Sequence, residues 1–180
     1  MVGFLTVHRK IEEILPLAFA KLLSLKNSTY MKELEALIET YKNAVFEKDL
    51  ATFLSLFDEG VRVFDMWGCW SYDGLTAWRE MVTGWFSSLG VDRDRLTFEE
   101  VEIFSVGDVA TVTAFARFAA VSPEGEELRF LHNRLTWIVR KKAGARAVSD
   151  SGVGSGVWKI IHQHTSAPID SRSMRVMLQR

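Results

Sequence analysis

The chain has 180 residues, of which 48% are hydrophobic and 25% charged, with 12 glycines and 3 prolines. These values are typical of a globular, single-domain protein and exclude a disordered, fibrous or repeat-built chain. Lysine and arginine number 22 against 23 aspartates and glutamates, so the net charge of -1 provides no basic field for nucleic-acid phosphates. The one cysteine, Cys69, has no partner for an intramolecular disulfide, which fits a reducing, cytoplasmic location.

Residues 1–28 are predicted to be an extension that precedes the main domain. Basic residues at 8–10 lead into an apolar stretch, but Glu12 and Glu13 fall where the hydrophobic region of a signal peptide would begin. The leucine spacing favours an extra helix with a kink at Pro16. Residues 171–180 are expected to be a solvated tail. No run reaches the ~18–20 apolar residues of a membrane span, and no membrane partner is predicted.

Helical periodicity predicts three helices in the first part of the main domain, which covers 29–170. Apolar residues recur at steps of three or four over residues 30–45. Asp49 is a suitable N-cap for a second, short helix, and Gly60 is expected to end it. Residues 61–66 alternate and contain β-formers, which indicates a strand. Helical spacing returns over residues 75–89, so a third helix follows this strand.

The remainder of the domain is predicted to be sheet. Turn sequences separate long runs of β-formers, which are 95–106, 108–121, 126–141 and 156–166. Hairpin connections make the sheet largely antiparallel, and strands of this length coil, often with a bulge. The sheet is therefore expected to be strongly curved. The insert at 143–156 contains small residues without periodicity and is interpreted as a mobile hairpin tip.

Both faces of the strand at 109–118 carry apolar side chains. One face has Val109, Thr111, Thr113, Phe115 and Arg117, and the other has Ala110, Val112, Ala114, Ala116 and Phe118. An antiparallel sheet with one solvated face alternates apolar and polar residues, so both faces are expected to be covered. Since three helices cover only one face, we infer a homodimer through the sheet.

Cationic and imidazole side chains interrupt the predicted apolar strands at Arg117, His132, Arg134, His162 and His164. A buried group of this kind needs a partner. For the arginines, two interpretations remain open. One is a cross-strand salt bridge with Asp65, Glu100 or Glu102. The other is an anion site, because the guanidinium fork matches a carboxylate.

Metal and cofactor chemistry have little support in the sequence. His162 and His164 share one face of a strand, but two ligands do not make a metal site, and no metal is predicted. No cofactor is predicted either, because the chain lacks a phosphate-binding glycine loop and a G-x-S-x-G motif. Aromatic side chains suited to the wall of an apolar pocket surround the first strand and third helix, and they are Trp67, Trp70, Trp78 and Trp85.

The element order, two helices, a strand, a helix and four long strands, resembles the nuclear transport factor 2-like cone fold. Residues 134–141, RLTWIVRK, and 158–168, WKIIHQHTSAP, resemble the last two strands of SnoaL-like domains and of the calcium/calmodulin-dependent kinase II association domain. These families share a W-x-x-x-H-x-H-x-S pattern. The resemblance implies an α+β fold with three helices on a strongly curved, mainly antiparallel sheet. The superfamily includes isomerases, cyclases and non-catalytic members, so no single activity is implied.

The resemblance also implies site residues. Arg117, within FARFAA, stands where a cavity-lining arginine occurs in the kinase association domain, and Trp85 stands where a pocket-edge tryptophan occurs. Arg134 matches the penultimate-strand arginine of SnoaL-like domains. A further arginine of the kinase segment is Thr165 here, so the anion site differs.

Two functions are therefore considered, beside a purely structural module whose polar residues all pair internally. The first is a domain for association or for binding a small molecule, with a carboxylate-bearing ligand among the candidates. Its predicted ligand-binding residues are Trp67, Trp85, Arg117, His132, Arg134 and His164. The second is a cofactor-independent isomerase or lyase of the ketosteroid isomerase or polyketide cyclase type. Its candidate catalytic residues are Asp65, Tyr72 and His164, with Asp65 or His164 as the base.

Overall fold

The computed structural model describes residues 29–142 and 156–180. The chain divides into two compact units, Met1–Ala36 and Leu37–Arg180. In the first unit the described residues, 29–36, are helical. The predicted N-terminal extension and nearly all of the predicted hairpin tip lie outside the described residues. Within those residues, no helix has both the length and the apolar character needed to cross a membrane.

The three predicted helices are present in the described part of the chain. They are α1 at 29–47, α2 at Leu50–Ser55 and α3 at Leu75–Ser88. Asp49 caps α2 as predicted, because its carboxylate accepts a hydrogen bond from the Thr52 N–H at 2.9 Å. The prediction that Gly60 ends α2 is wrong. The helix ends five residues earlier, because Phe57 already belongs to the first strand and pairs with Ile160.

Within residues 29–142 and 156–180, six strands form one mixed sheet in the order β2-β1-β6-β5-β4-β3. They are β1 (Phe57–Phe64), β2 (Tyr72–Asp73), β3 (Arg93–Val106), β4 (Val109–Val121), β5 (Glu127–Lys142) and β6 (Val157–Ser166). β1 and β6 are parallel, and the other neighbours are antiparallel. The four long strands after Gly90 are confirmed to within two residues at each end, whereas the short β2 was not predicted.

Irregular pairing explains how such long strands curve. The register of β3 against β4 shifts between Glu99 and Glu102, and Glu100 between them has φ 51°. A bulge of this kind bends the strand and increases its twist. The β4–β5 and β5–β6 pairs contain further register shifts.

The two faces of the sheet differ in burial. Along β4, the side with Ala110, Val112, Ala114 and Ala116 is buried, whereas the alternate side is half-buried or exposed. The buried side is called the inner face here, and the opposite side the outer face. Tyr41 of α1 connects the helices to the inner face, since its ring centroid lies 4.7 Å from Phe53 and 4.8 Å from Trp137.

Most residues after β6 are exposed, but they fold back along the domain. Residues 167–180, called the C-terminal strap here, turn back on themselves through an Ile169–Val176 bridge. β6 ends at Ser166, opposite Arg134, so the first part of β5 has no strand beside it on that edge. The strap takes this place, and the Leu178 carbonyl accepts a hydrogen bond from the His132 N–H at 2.7 Å.

Arg180 fastens the end of the C-terminal strap to the outer face. Its guanidinium carbon lies 3.8 Å from the centroid of the Phe115 ring and forms a cation–π contact. The same side chain forms ion pairs with Glu99 and Glu100 at the β3 bulge. The strap is positioned by the unpaired edge of β5 and by these contacts of Arg180. Neither feature could be predicted from a pattern within residues 171–180.

Candidate functional site

A cavity of about 600 Å³ lies between α3 and the inner face of the sheet, and it is called the site cavity here. Most of its wall is apolar or aromatic, formed by Tyr41, Trp67, Trp78, Met81, Trp85, Leu89, Phe118, Ala120, Phe130, Leu131 and Leu178. Its polar lining residues are Asp65, Ser88, Asp94, Arg129, Asn133, Gln163 and Thr165. An apolar wall with a few polar groups is typical of small-molecule sites.

Strand alternation places the polar groups of the inner end. Val61 and Val63 of β1 are buried on the inner face, and Asp65 follows at the same two-residue spacing. Asn133 of β5 and Thr165 of β6 also belong to the inner face and are 6% and 5% exposed. Three different segments therefore bring a carboxylic acid, an amide and a hydroxyl to the buried end of the site cavity.

The surroundings of Asp65 disfavour the charged form of its carboxyl group. Burial raises the pKa of the Asp65 carboxyl above its usual range, although a hydrogen bond from Thr165 opposes this shift. The Thr165 Oγ1 lies 2.6 Å from Asp65 Oδ1 and donates to it. The backbone N–H groups of Met66 and Trp67 also favour the charged form. Desolvation of the carboxyl group raises its pKa by more than these hydrogen bonds lower it.

Gln163 is held rigidly beneath the site cavity. It is 2% exposed, and its Oε1 accepts hydrogen bonds from Trp137 Nε1 at 2.9 Å and from the Tyr41 hydroxyl at 3.4 Å. Burial raises the pKa of Tyr41, so this hydroxyl remains a neutral donor. With the oxygen occupied twice, the amide N–H groups of Gln163 are left for other partners.

Asn133 and Trp78 contain buried polar atoms that lack a partner among the described residues. These atoms are Asn133 Oδ1 and Trp78 Nε1. The Asn133 amide nitrogen lies 3.7 Å from the Met66 sulfur, which accepts but does not donate, so the amide oxygen is the free end. An unsatisfied buried acceptor costs about 1–3 kcal/mol, and both residues line the site cavity. A bound molecule is one way to satisfy them.

The mouth of the site cavity has different chemistry. Arg129 is exposed there, near the start of β5. Asp94 of β3 is half-buried, and its Oδ2 accepts a hydrogen bond from Trp85 Nε1 at 2.9 Å. Leu178 of the C-terminal strap completes the wall. The strap is therefore part of the site as well as of the sheet edge.

The structure brings some of the predicted site residues together and separates others. Trp67, Trp85 and Asp65 line the site cavity. Four residues that were expected to line the cavity lie on the outer face instead, because strand alternation sends their side chains there: Arg117, His132, Arg134 and His164. Each is one residue away in the chain from an inner-face residue.

The cations of the outer face have their own surroundings. Arg117 forms a salt bridge with Glu127 at 2.5 Å, and its guanidinium lies 4.3 Å from the centroid of Phe130. A salt bridge was one of the two interpretations for Arg117, although the acidic partner was not among those named. His132 and Arg134 lie beside the C-terminal strap, next to Met177.

The alternative catalytic set is only partly assembled. Asp65 and His164 both border a second depression, called the side groove here, which the loop at 66–71 also lines. Tyr72 belongs to neither lining, and its hydroxyl lies 3.5 Å from the Trp67 carbonyl oxygen. His164 reaches the side groove from the outer face, so Asp65 is the one member of the set that lines the site cavity.

The residues that sequence analysis missed are polar neighbours of the residues it chose. Gln163 lies between His162 and His164, Asn133 lies between His132 and Arg134, and Arg129 lies near the start of the same strand. One pattern in the sequence would have identified them. Small alanine side chains on one face of β4 leave room for a cavity beneath the helices, so the residues of neighbouring strands on that same face are the candidates. Across residues 29–142 and 156–180, no group of three or more His, Cys, Asp or Glu side chains is placed to hold a metal ion.

Comparison with known proteins identifies the family. A family model described as a SnoaL-like domain matches residues 34–170. Among solved structures, an NTF2-like protein of unknown function from Pseudomonas putida superposes with a TM-score of 0.68 at 18% identity, over 85% of this chain and 96% of that one. No curated protein matches.

Two further structures agree with this fold. An NTF2-like protein with a cystatin-like fold from Novosphingobium aromaticivorans has a TM-score of 0.64 at 16% identity, over 88% of this chain and 92% of that one. A proposed calcium/calmodulin dependent protein kinase II association domain from Xanthomonas campestris has a TM-score of 0.59 at 14% identity, over 76% and 86%. At identities of 14–18%, the similarity of these structures shows a shared fold alone.

Proposed function

Because this chain belongs to the family of SnoaL-like domains, we propose that its site cavity binds a small, largely apolar, ring-containing molecule. The observation that carries this proposal is the inner end of the cavity. There the Asp65 carboxyl and the unpartnered carbonyl oxygen of Asn133 lie at the end of an aromatic wall. Rings stack favourably on such walls, and the polar groups fix their orientation.

The same groups specify the polar part of the ligand. Asn133 Oδ1 is an acceptor, so it selects a hydrogen-bond donor such as a hydroxyl group. A site built to hydrogen-bond a hydroxyl rejects analogues that lack it, because its buried polar atom is then left unpaired. We therefore expect a phenol-like or alcohol-bearing ring to bind better than its ether.

Tryptophan fluorescence tests this proposal, because Trp67, Trp78 and Trp85 line the site cavity. The probes are 2-naphthol and 2-methoxynaphthalene, which differ in the donor hydroxyl. The expected result is tighter binding of 2-naphthol, with the preference lost in Asn133→Leu and kept in His164→Leu, whose position is on the outer face. Saturable quenching by neither probe would count against a ligand site for rings of this size.

A second candidate function is proton transfer by Asp65. The raised pKa of this buried carboxyl supports it, since a general base works best when its pKa approaches the working pH. Asp65 would remove a proton from the carbon beside a carbonyl group, and the amide nitrogen of Gln163 would donate to the enolate oxygen. Returning the proton to carbon completes the exchange.

Hydrogen–deuterium exchange on a bicyclic ketone tests this second candidate. 2-Tetralone in deuterium oxide exchanges its acidic hydrogens through the enolate, and NMR follows their loss. Protein-dependent exchange that disappears in Asp65→Asn and persists in His164→Leu supports Asp65 as the base. If both variants keep the rate of the unmodified protein, Asp65 is not the base.

Self-association through the outer face is a further proposal. Its support is a cluster of exposed apolar side chains at the β3–β4 hairpin, namely Phe104, Val106 and Val109. Native mass measurement should find a homodimer that Phe104→Lys dissociates. Val91→Lys is the matched control, because Val91 is equally apolar and 76% exposed but lies outside the strands. A monomer at micromolar concentration would contradict the proposal.

A further inference from the structure

Among the described residues that line the site cavity, one is cationic. This residue is Arg129, and it lies at the mouth, where its side chain is exposed. Asn133 lies at the inner end on the same strand, four residues further along. Since strand residues of equal parity share a face, Arg129 and Asn133 mark two ends of one surface.

The acidic residues near Arg129 have other partners. Glu127, two residues earlier on β5, accepts from both terminal nitrogens of Arg117, at 3.0 and 2.5 Å. Asp94 is the acidic residue that faces Arg129 across the mouth, and its Oδ2 is held by Trp85. No ion pair of Arg129 is present within residues 29–142 and 156–180.

Register fixes how far apart Asp94 and Arg129 are. Asp94 pairs with Ala120, and Ala120 pairs with Arg129, so these residues form a row across three strands. Strands are about 4.8 Å apart, which places the backbones of Asp94 and Arg129 about 10 Å from each other. The small Ala120 side chain between them leaves the guanidinium open toward the cavity.

We propose, building on the proposed function, that Arg129 binds a carboxylate of the ligand at the mouth while a hydroxyl of the same ligand contacts Asn133. The ligand class is then a hydroxylated aromatic acid. One guanidinium fork matches the two oxygens of a carboxylate. A phosphate dianion fits less well, because Asp94 lies in the same row and the described residues place no second cation in the lining.

The spacing of the two ends agrees with a ligand of two fused rings. Four residues of strand separate the Cα atoms of Arg129 and Asn133 by about 13 Å. Part of this distance is taken up by the arginine side chain, which extends from its backbone into the mouth. A naphthalene ring with substituents at opposite ends suits the remaining length and the aromatic wall.

The experiment compares 6-hydroxy-2-naphthoate with 2-naphthol by isothermal titration calorimetry at neutral pH. The variants are Arg129→Ala and Arg129→Lys, and Arg134→Ala is the matched control, because Arg134 is an exposed arginine of β5 on the outer face. Circular dichroism checks that each variant is folded. Measurements at low and high salt separate a charge contact from an apolar one.

The unmodified protein should bind the acid about tenfold more tightly than 2-naphthol, as expected for one charge-assisted contact. Arg129→Ala should remove this preference, Arg129→Lys should keep part of it, and Arg134→Ala should keep all of it. High salt should reduce it. Equal binding of both probes, or a preference that survives in Arg129→Ala, overturns the role of Arg129 and leaves the proposed function standing. Binding of neither probe overturns both.

Discussion

Thr165 Oγ1 donates a hydrogen bond to Asp65 Oδ1 across 2.6 Å and accepts one from the Met66 N–H at 3.0 Å. One hydroxyl group of β6 thus holds both the side chain of Asp65 and the backbone that follows it. This contact orients the carboxyl toward the site cavity. It also means that the properties of Asp65 depend on a residue 100 positions away in the chain.

The first prediction concerns the pH dependence of stability. The pKa of Asp65 is raised in the folded protein, so the folded state binds more protons than the unfolded state above pH ~4. Its contribution to stability is therefore present below the unfolded pKa and is lost as pH rises through the folded pKa. Asp65→Asn should unfold at higher urea concentration than the unmodified protein at pH 7, with the difference shrinking toward pH 4. A difference that does not change with pH would contradict this.

The second prediction uses Gly84 to fill the site cavity. A Cβ atom at this α3 position meets no atom within 4 Å, and Gly84 lines the cavity. Gly84→Ala and Gly84→Leu should both stabilise the helix, by about 0.5–1 kcal/mol, because glycine is a poor helix former. Only the leucine occupies the cavity, so only Gly84→Leu should weaken binding of 2-naphthol. Equal affinity for the two variants would place the ligand elsewhere.

The third prediction concerns the buried amide of Gln163. Gln163→Leu leaves Trp137 Nε1 and the Tyr41 hydroxyl without their shared acceptor, and all three residues are at most 3% exposed. We expect a loss of about 2–3 kcal/mol in the free energy of unfolding, measured by urea denaturation. His164 is the next residue on the same strand and is exposed. The substitution His164→Leu should therefore change the free energy of unfolding by less than about 0.5 kcal/mol.

The fourth prediction concerns the C-terminal strap. Arg180 stacks on Phe115 and pairs with Glu99 and Glu100, so Arg180→Ala should loosen the strap. The amide hydrogen of His132, which donates to Leu178, should then exchange faster with solvent. The amide of Trp137, which lies in the part of β5 that β6 pairs, serves as the control. Unchanged exchange at His132 would show that Arg180 does not hold the strap.

Several elements followed directly from the sequence. The helical spacing at 75–89 and the turn sequences after Gly90 located α3 and all four long strands, because local periodicity determines these elements. The N-cap Asp49 was also visible, since its contact with Thr52 spans three residues. The helix end at Gly60 could not be predicted correctly, because the pairing of Phe57 with Ile160 is a long-range interaction that outweighs a local helix signal.

The site needed the tertiary structure. The sequence alone determined that Arg117, His132 and Arg134 lie on one side of their strands and Phe118 and Asn133 on the other. Packing decided which of these two sides meets the helices. Alternation along a strand defines two faces but does not say which one is covered, and the residues that cover each face are distant in sequence. Packing turned Arg117, His132, Arg134 and His164 outward and brought the neutral amides of Asn133 and Gln163 inward.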